Sequence, residues 1–527
     1  MKKHIVYIFA LIKKHILSPQ LPLVVISACL FLAVASLIDR VLAVGIIFSV
    51  FLFYLTLFFI NKYVKDDDHS FVSNLFIIAF IIHILAAFFV YYSNFQPFSG
   101  GYGDYVIYQI QATEIAENVR KGIFSLDEVY FGINQYYPVI VGYIYAVTVP
   151  SMIMGQLFNA WLIALVVVFV YLIGRQIGGG QKESFLAGLA ANFYPSLAFF
   201  GSLMLKDACV ALACLVALFL AIKTIKNFSI PGFLAFFAAL MAVIHFRFYA
   251  GYAILFSFII SWFLASNLGL RKRFIYGVIM VFLLGLAPLF LGQGYYGYNH
   301  FKQFLNVKSI TYYRETVYAP QEPKPDSAEE LKTDSAKETK PDAVEIFEPV
   351  KTSQVFEELK QKTKTEALKD TEDQKAEELK GAVAQKSWGK GSSMLIKTGL
   401  DNPLTFIKNS LWSFANVLLG PFPWQLTSLR HLLTLPEVIG WYFLLFFIVK
   451  GIIESIRKKN TIILPLIIFS CLVMGVLALF MSNFGIITRI RISAFLSLLC
   501  ILPLGLQNFD QNKILQKLKA FKTPFLK

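Results

Sequence analysis

Long apolar runs broken by short polar punctuation dominate the chain. Twelve runs stand out, near 21–38, 41–60, 71–92, 152–173, 184–202, 207–223, 230–247, 250–267, 273–292, 437–453, 461–481 and 490–507. About 20 apolar residues, at 1.5 Å per residue in a helix, cover a hydrocarbon core of about 30 Å. The runs are continuous rather than alternating, so they predict helices and not barrel strands, which would show a period of two. The expected fold class is an all-α polytopic membrane protein with about 12 transmembrane helices. One more apolar stretch, 138–150, is shorter and interrupted by Gly142, Tyr143 and Tyr145. It predicts an interfacial helix rather than a crossing.

The polar punctuation orients these spans. With the N-terminus inside, the inner loops hold Lys62, Lys65, Arg175, Lys182, Lys223, Lys226, Arg271, Lys272, Arg273, Arg457, Lys458 and Lys459. The outer segments keep only Arg40, Arg120, Lys121, Lys206, Arg247, Arg489 and Arg491. Lys and Arg are retained on the cytoplasmic side. Counting 138–150 as a crossing would invert every later loop, so both ends are expected inside.

The resulting organisation has a cytoplasmic amphipathic segment at 1–20 and a transmembrane core at 21–292, whose outer loop is 93–137. An extracytoplasmic loop follows at 293–436, then transmembrane helices at 437–507 and a basic cytoplasmic tail at 508–527. Ala33-Val34-Ala35 after an apolar run also has the order of a signal-peptide cleavage site. Cleavage would leave the later topology unchanged. Within the large loop, 320–390 is rich in Pro, Glu, Lys, Ser and Thr. It cannot bury a core and is expected to be disordered or a solvated helix.

Composition sharpens this. The chain is 57% apolar and only 15% charged, with mean hydropathy +0.62, against about 25% charged in soluble proteins. A set of soluble domains is excluded. The net charge of +15 is topology signal rather than a nucleic-acid footprint, and no nucleic-acid partner is expected. The five cysteines all lie in apolar runs and read as small buried hydrophobes, not as a disulfide or zinc framework.

An ionisable residue in lipid is a functional hypothesis by default. The apolar runs are nearly free of acids, which disfavours a proton- or ion-coupled transporter. The candidates gather instead at the outer ends of helices: Asp104, the pair Lys206-Asp207, His245 with Arg247, and Arg489 with Arg491. An acid that activates a nucleophile and cations that hold a phosphate must share one cleft. Taken singly, each has a plainer reading. Asp207 suits a helix cap, Asp104 after Gly-Tyr-Gly suits a turn, and the arginines suit snorkelling to lipid phosphates.

Taken together, these residues carry a resemblance. Asp104 is followed by Tyr108, Ala112 and Gly122; then come NQYYPVIVGYIYAV, a cytoplasmic YLIGRQIGGG, and ANFYPSLAFFGSLMLKDACVAL with Asp207. In order, spacing and side, the stretch from Gly103 to Lys223 resembles the GT-C type integral-membrane glycosyltransferases, the superfamily of the protein mannosyltransferases and the aminoarabinose transferases of lipid A. Tyr137 stands where the first of a double proline is usual, and Lys206 where a Thr usually precedes the second acid.

The resemblance implies transfer of a sugar from a polyprenyl-phosphate donor to a lipid, glycan or protein acceptor, outside a bacterial inner membrane. It makes Asp104 the general base. Asp207 becomes an acceptor support or, as in some relatives, a divalent-metal ligand together with Asp104; no other cofactor is implied. Lys206, Arg247, Arg489 and Arg491 are the cations available to the donor phosphate, and Tyr108, Tyr137 and His245 are expected on the substrate side. Ile490 separates Arg489 from Arg491, so a helix would not present both on one face; one is expected at phosphate and the other in the scaffold. An O-antigen-like polymerase or ligase, a lipid or glycan transporter, and a non-catalytic assembly protein are the competing readings.

Overall fold

A computed structural model describes residues 36–37, 39–95, 104–124, 136–290, 403–425, 434–481 and 484–507. Among them every regular element is helical. In chain order these are α1 (Arg40–Tyr63), α2 (Asp66–Ser93), α3 (Asp104–Arg120), α4 (Tyr136–Val147), α5 (Met152–Gln176), α6 (Gln181–Asn192), α7 (Pro195–Gly201), α8 (Asp207–Lys226) and α9 (Ile230–Phe246). They continue with α10 (Phe248–Ala265), α11 (Leu270–Phe290), α12 (Pro403–Leu419), α13 (Leu435–Arg457), α14 (Leu464–Phe480), α15 (Phe484–Ile490), α16 (Ile492–Leu499) and α17 (Leu502–Leu506).

Among the described residues, seven helical stretches are long and apolar enough to cross a membrane: α1, α2, α5, α8, α10, α13, and α14 together with the turn that precedes it, Thr461–Phe480. Their outward faces are apolar too, with Phe443 and Phe446 on α13 at 66% and 65% exposure and Tyr54 on α1 at 66%. Water would penalise such a surface, whereas hydrocarbon does not. The architecture is that of an all-helical membrane protein.

The other expected crossings take different forms. The run 230–247 forms the 17-residue helix α9, Ile230–Phe246, and 273–290 falls in α11. Two runs expected as single helices are broken. The run 184–202 becomes α6 and α7, which meet at Phe193-Tyr194-Pro195, and 490–507 becomes α16 and α17. Proline lacks an N–H and clashes with the preceding turn, so Pro195 and Pro503 start new helices instead of continuing old ones. The stretch 138–150 forms α4, a 12-residue helix. The expectations for 1–20, 320–390, 508–527 and most of 21–38 fall outside the described residues.

Hydrogen bonds at the helix ends separate the molecule into two poles. At one, Arg175 Nε meets Asp68 at 2.8 Å, Tyr171 donates to the same carboxylate, and Lys226 donates to the Gln176 carbonyl. Gln507 and Asn460 there cap the carbonyls of Gly178 and Ile177. Gly178 has φ +105°, a backbone that favours glycine. At the other pole lie the starts of α3, α8 and α13, the junction of α9 with α10, and α15.

Three features position that second pole. Buried residues on α3 fall at Tyr105, Tyr108, Ala112, Ile115 and Ala116, a helical stripe turned against α4. A Cβ at Gly142 of α4 would lie 2.6 Å from Ile115 Cγ2, so the two helices approach through small residues. After α3, Gly122 takes φ +79° while Ile123 N–H donates to the Asn118 carbonyl, a glycine-terminated helix end. Ala112 and Gly122, two members of the sequence pattern, thus have packing and capping roles. Cys209, Cys214 and Cys500 are buried as expected, whereas Cys471 faces outward on α14.

Candidate functional site

Four segments deliver one charged cluster. Asp207 is the first residue of α8, and Lys206 is its cap position. The preceding turn is held by Asn159 of α5, whose amide donates to the carbonyls of Leu203 and Leu205 at 2.7 and 2.8 Å. Arg247 occupies the single residue between α9 and α10. Arg489 lies in the last turn of α15, and Asp104 opens α3.

The connections are specific. One Asp207 oxygen accepts from Arg247 Nη2 and the other from Arg489 Nε. Asp207 therefore spends its carboxylate on two guanidinium groups rather than on backbone N–H groups of its own helix. Arg489 Nη1 continues to Asp104 Oδ2 at 2.8 Å. Arg247 Nη1 donates to the Tyr249 hydroxyl at 2.6 Å. Among the described residues, buried Arg247 Nε has no hydrogen-bond partner.

Burial grades the cluster from inside to outside. The side chains of Asp207 and Arg247 are 8% exposed, that of Arg489 18% and that of Asp104 51%. Lys206 lies close enough to feel all four charges, and three cations against two carboxylates leave a net +1. Burial, and then the Arg247 charge, hold the Lys206 ammonium down to about 8. Tyr108 lies beside the same charges; burial, and then the Asp104 carboxylate, keep its hydroxyl protonated far above the usual range. It can act there as a hydrogen-bond donor.

The remaining sequence candidates lie elsewhere. Tyr137 is buried edge-on to Tyr108, with ring centroids 5.5 Å apart. His245 packs edge-on against Tyr136, and its Nδ1 lies 2.7 Å from the Met241 carbonyl. Arg491 enters a separate, fully buried network. Its Nη2 meets Glu437 at 3.0 Å and its Nη1 donates to the carbonyls of Val417 and Gly420, while its guanidinium lies over Phe495. Glu437 also accepts from the Tyr194 hydroxyl and from the Ser196 backbone and hydroxyl.

Sequence reasoning missed Glu437, Tyr249 and Asn159. A lone acid directly after Pro436 at the start of an apolar run was the one available signal for Glu437. Tyr249 had no such signal, because a Tyr at a span end is common, whereas Asn159 offered only an isolated amide inside the apolar run 152–173.

The carboxylates of Asp104 and Asp207 do not suit a divalent cation. The Arg489 guanidinium lies between them, and Arg247 and Lys206 add positive charge beside it. A metal ion would have to settle against those cations, so no chemistry is routed through one. Among the described residues no three His, Cys, Asp or Glu side chains converge. No protein-family model, curated protein or solved structure matches the chain.

Proposed function

We propose that the protein is a GT-C type membrane glycosyltransferase, which moves a sugar from a polyprenyl-phosphate donor to a lipid, glycan or protein acceptor on the outer face of a bacterial inner membrane. One observation carries this reading. Residues far apart in sequence (Asp104, Asp207, Arg247 and Arg489) form a single cluster, half-exposed at Asp104 and buried at Asp207, to which Lys206 adds an excess of positive charge. An acid at the mouth and cations behind it match what displacement of a phosphate requires.

In the proposed step the acceptor O–H or N–H gives its proton to Asp104 while the acceptor atom attacks the anomeric carbon. The bond from that carbon to the phosphate oxygen breaks, and its electron pair leaves with the polyprenyl phosphate. Attack opposite the leaving group inverts the anomeric centre. Arg489, Arg247 and Lys206 neutralise the departing charge, and Tyr108 donates a hydrogen bond from the wall. Asp207, with both oxygens engaged, orients two of the three cations instead of meeting the acceptor. Arg491, Tyr137 and His245 serve the scaffold and the walls.

The test is sugar transfer from polyprenyl-phosphate sugars in membranes carrying wild-type protein or Asp104→Asn. A general base contributes about a hundredfold or more, so the variant should lose at least that much activity at equal protein level. Transfer at the wild-type rate would remove Asp104 from the mechanism.

A further inference from the structure

Asp104 gives one carboxylate oxygen to a hydrogen bond from Arg489, which draws charge from that oxygen and anchors the carboxylate on a cation. The proposed base is thus paired with a cation, and its partner is one of the cations assigned to the donor phosphate. Resting on the glycosyltransferase reading, we propose that Arg489 makes Asp104 available only when a phosphate is bound: the donor phosphate displaces Asp104 from Arg489 and frees the carboxylate for the acceptor.

The two arms of Arg489 differ in the way this exchange needs. The arm to Asp207 is buried, with the acid 8% exposed, whereas the arm to Asp104 ends on a side chain 51% exposed. Water screens an exposed ion pair and leaves it weak, while a buried pair is costly to break. Under competition the outer arm yields first and Asp207 retains the guanidinium in place. Arg489 then pivots about a fixed Nε and does not leave the site.

Phosphate is a strong competitor for the freed N–H groups. Guanidinium presents five donors in a planar fork that fits two oxygens of a phosphate at once. The link to Asp104 is a single N–H···O contact at 2.8 Å. Arg247 adds attraction for the phosphate that Asp104 does not share, since Arg247 pairs with Asp207 and not with Asp104; Lys206 adds its own charge beside it. The exchange strengthens as the sugar departs, because negative charge accumulates on the phosphate at that moment. The consequence is ordered chemistry, with no acceptor deprotonation before the donor is seated.

Binding of farnesyl phosphate, with farnesol as the uncharged control, to the purified full-length protein in detergent tests this. The proteins are wild type, Asp104→Asn, Arg489→Gln and the double variant. Removing the competing carboxylate should tighten farnesyl phosphate binding by about fivefold to tenfold, the gain expected for freeing one charged hydrogen bond discounted for the exposure of Asp104. In the Arg489→Gln background the same Asp104 change should alter affinity by less than about twofold, because non-interacting changes add. An Asp104→Asn affinity equal to wild type, or the same gain in both backgrounds, would overturn the exchange and leave the phosphate site intact. Equal binding of farnesol and farnesyl phosphate by wild type would instead overturn the phosphate site, and the exchange with it.

Discussion

Lys206 shows how a single side chain links burial to pH. Its folded value of about 8 lies below the ordinary 10.5, so between those values the unfolded chain binds more protons. Stability therefore rises with pH across that window, and the burden of a buried charge is present in full below about 8. Function runs the opposite way, because the charge that attracts phosphate fades above about 8. Farnesyl phosphate affinity of the wild type should fall from pH 7 to pH 9, and that of Lys206→Arg should stay level, since arginine keeps its charge. Identical profiles for the two proteins would take Lys206 out of the phosphate site. Arg489 and Arg491 make the complementary case: two apart in sequence, they serve different networks, one at the acids and one beneath α12 and α13.

At the scale of elements, the broken passes and close crossings explain where polar residues are spent. Pro195 opens α7, and the freed Ser196 N–H is answered by Glu437 from α13, whose negative charge also suits a helix N-terminus. Near the opposite pole, α13 and α17 cross so closely that a Cβ on Gly505 would overlap the Phe447 carbonyl oxygen, and one on Gly451 would lie 2.8 Å from the Ile501 oxygen. A Gly505→Ala substitution should destabilise the protein by about 2 kcal/mol or more, the range of core overpacking. Gly475 on α14 has nothing within 4 Å of a built Cβ. There, alanine should be neutral or stabilising by up to about 1 kcal/mol. Thermal unfolding in detergent measures both, and equal shifts would mean that the α13–α17 crossing can relax.

At the scale of the whole molecule, the two poles divide labour. The pole of Asp68, Tyr171 and Arg175 ties α2 to α5 and to the turn at Gly178–Gly179, and none of its contacts reaches the charged cluster. Arg175→Ala should lower stability by about 1 kcal/mol, as expected for a half-buried charged hydrogen bond discounted for screening. Farnesyl phosphate affinity should be unchanged; a shift in affinity would show that the poles are coupled. The membrane helices were legible from apolar runs, because hydrophobicity over about 20 residues is local information. Asp104, Asp207, Arg247 and Arg489 were legible as candidates because charges at span ends are conspicuous. Their pairing was not, since Asp104 and Arg489 meet across most of the chain.

By itself the sequence determined an all-helical membrane protein, the gathering of its scarce acids and a few cations at span ends, and the difference in composition between 320–390 and the apolar remainder. The tertiary structure alone decided that Arg489 joins two aspartates while Arg491 joins Glu437, and that Ala112 and Gly142 are small so that α3 and α4 can touch. The physical reason is one of range. Whether a segment leaves water depends on its own side chains, whereas which charge answers which depends on helix crossings between residues hundreds apart, and no local pattern records those.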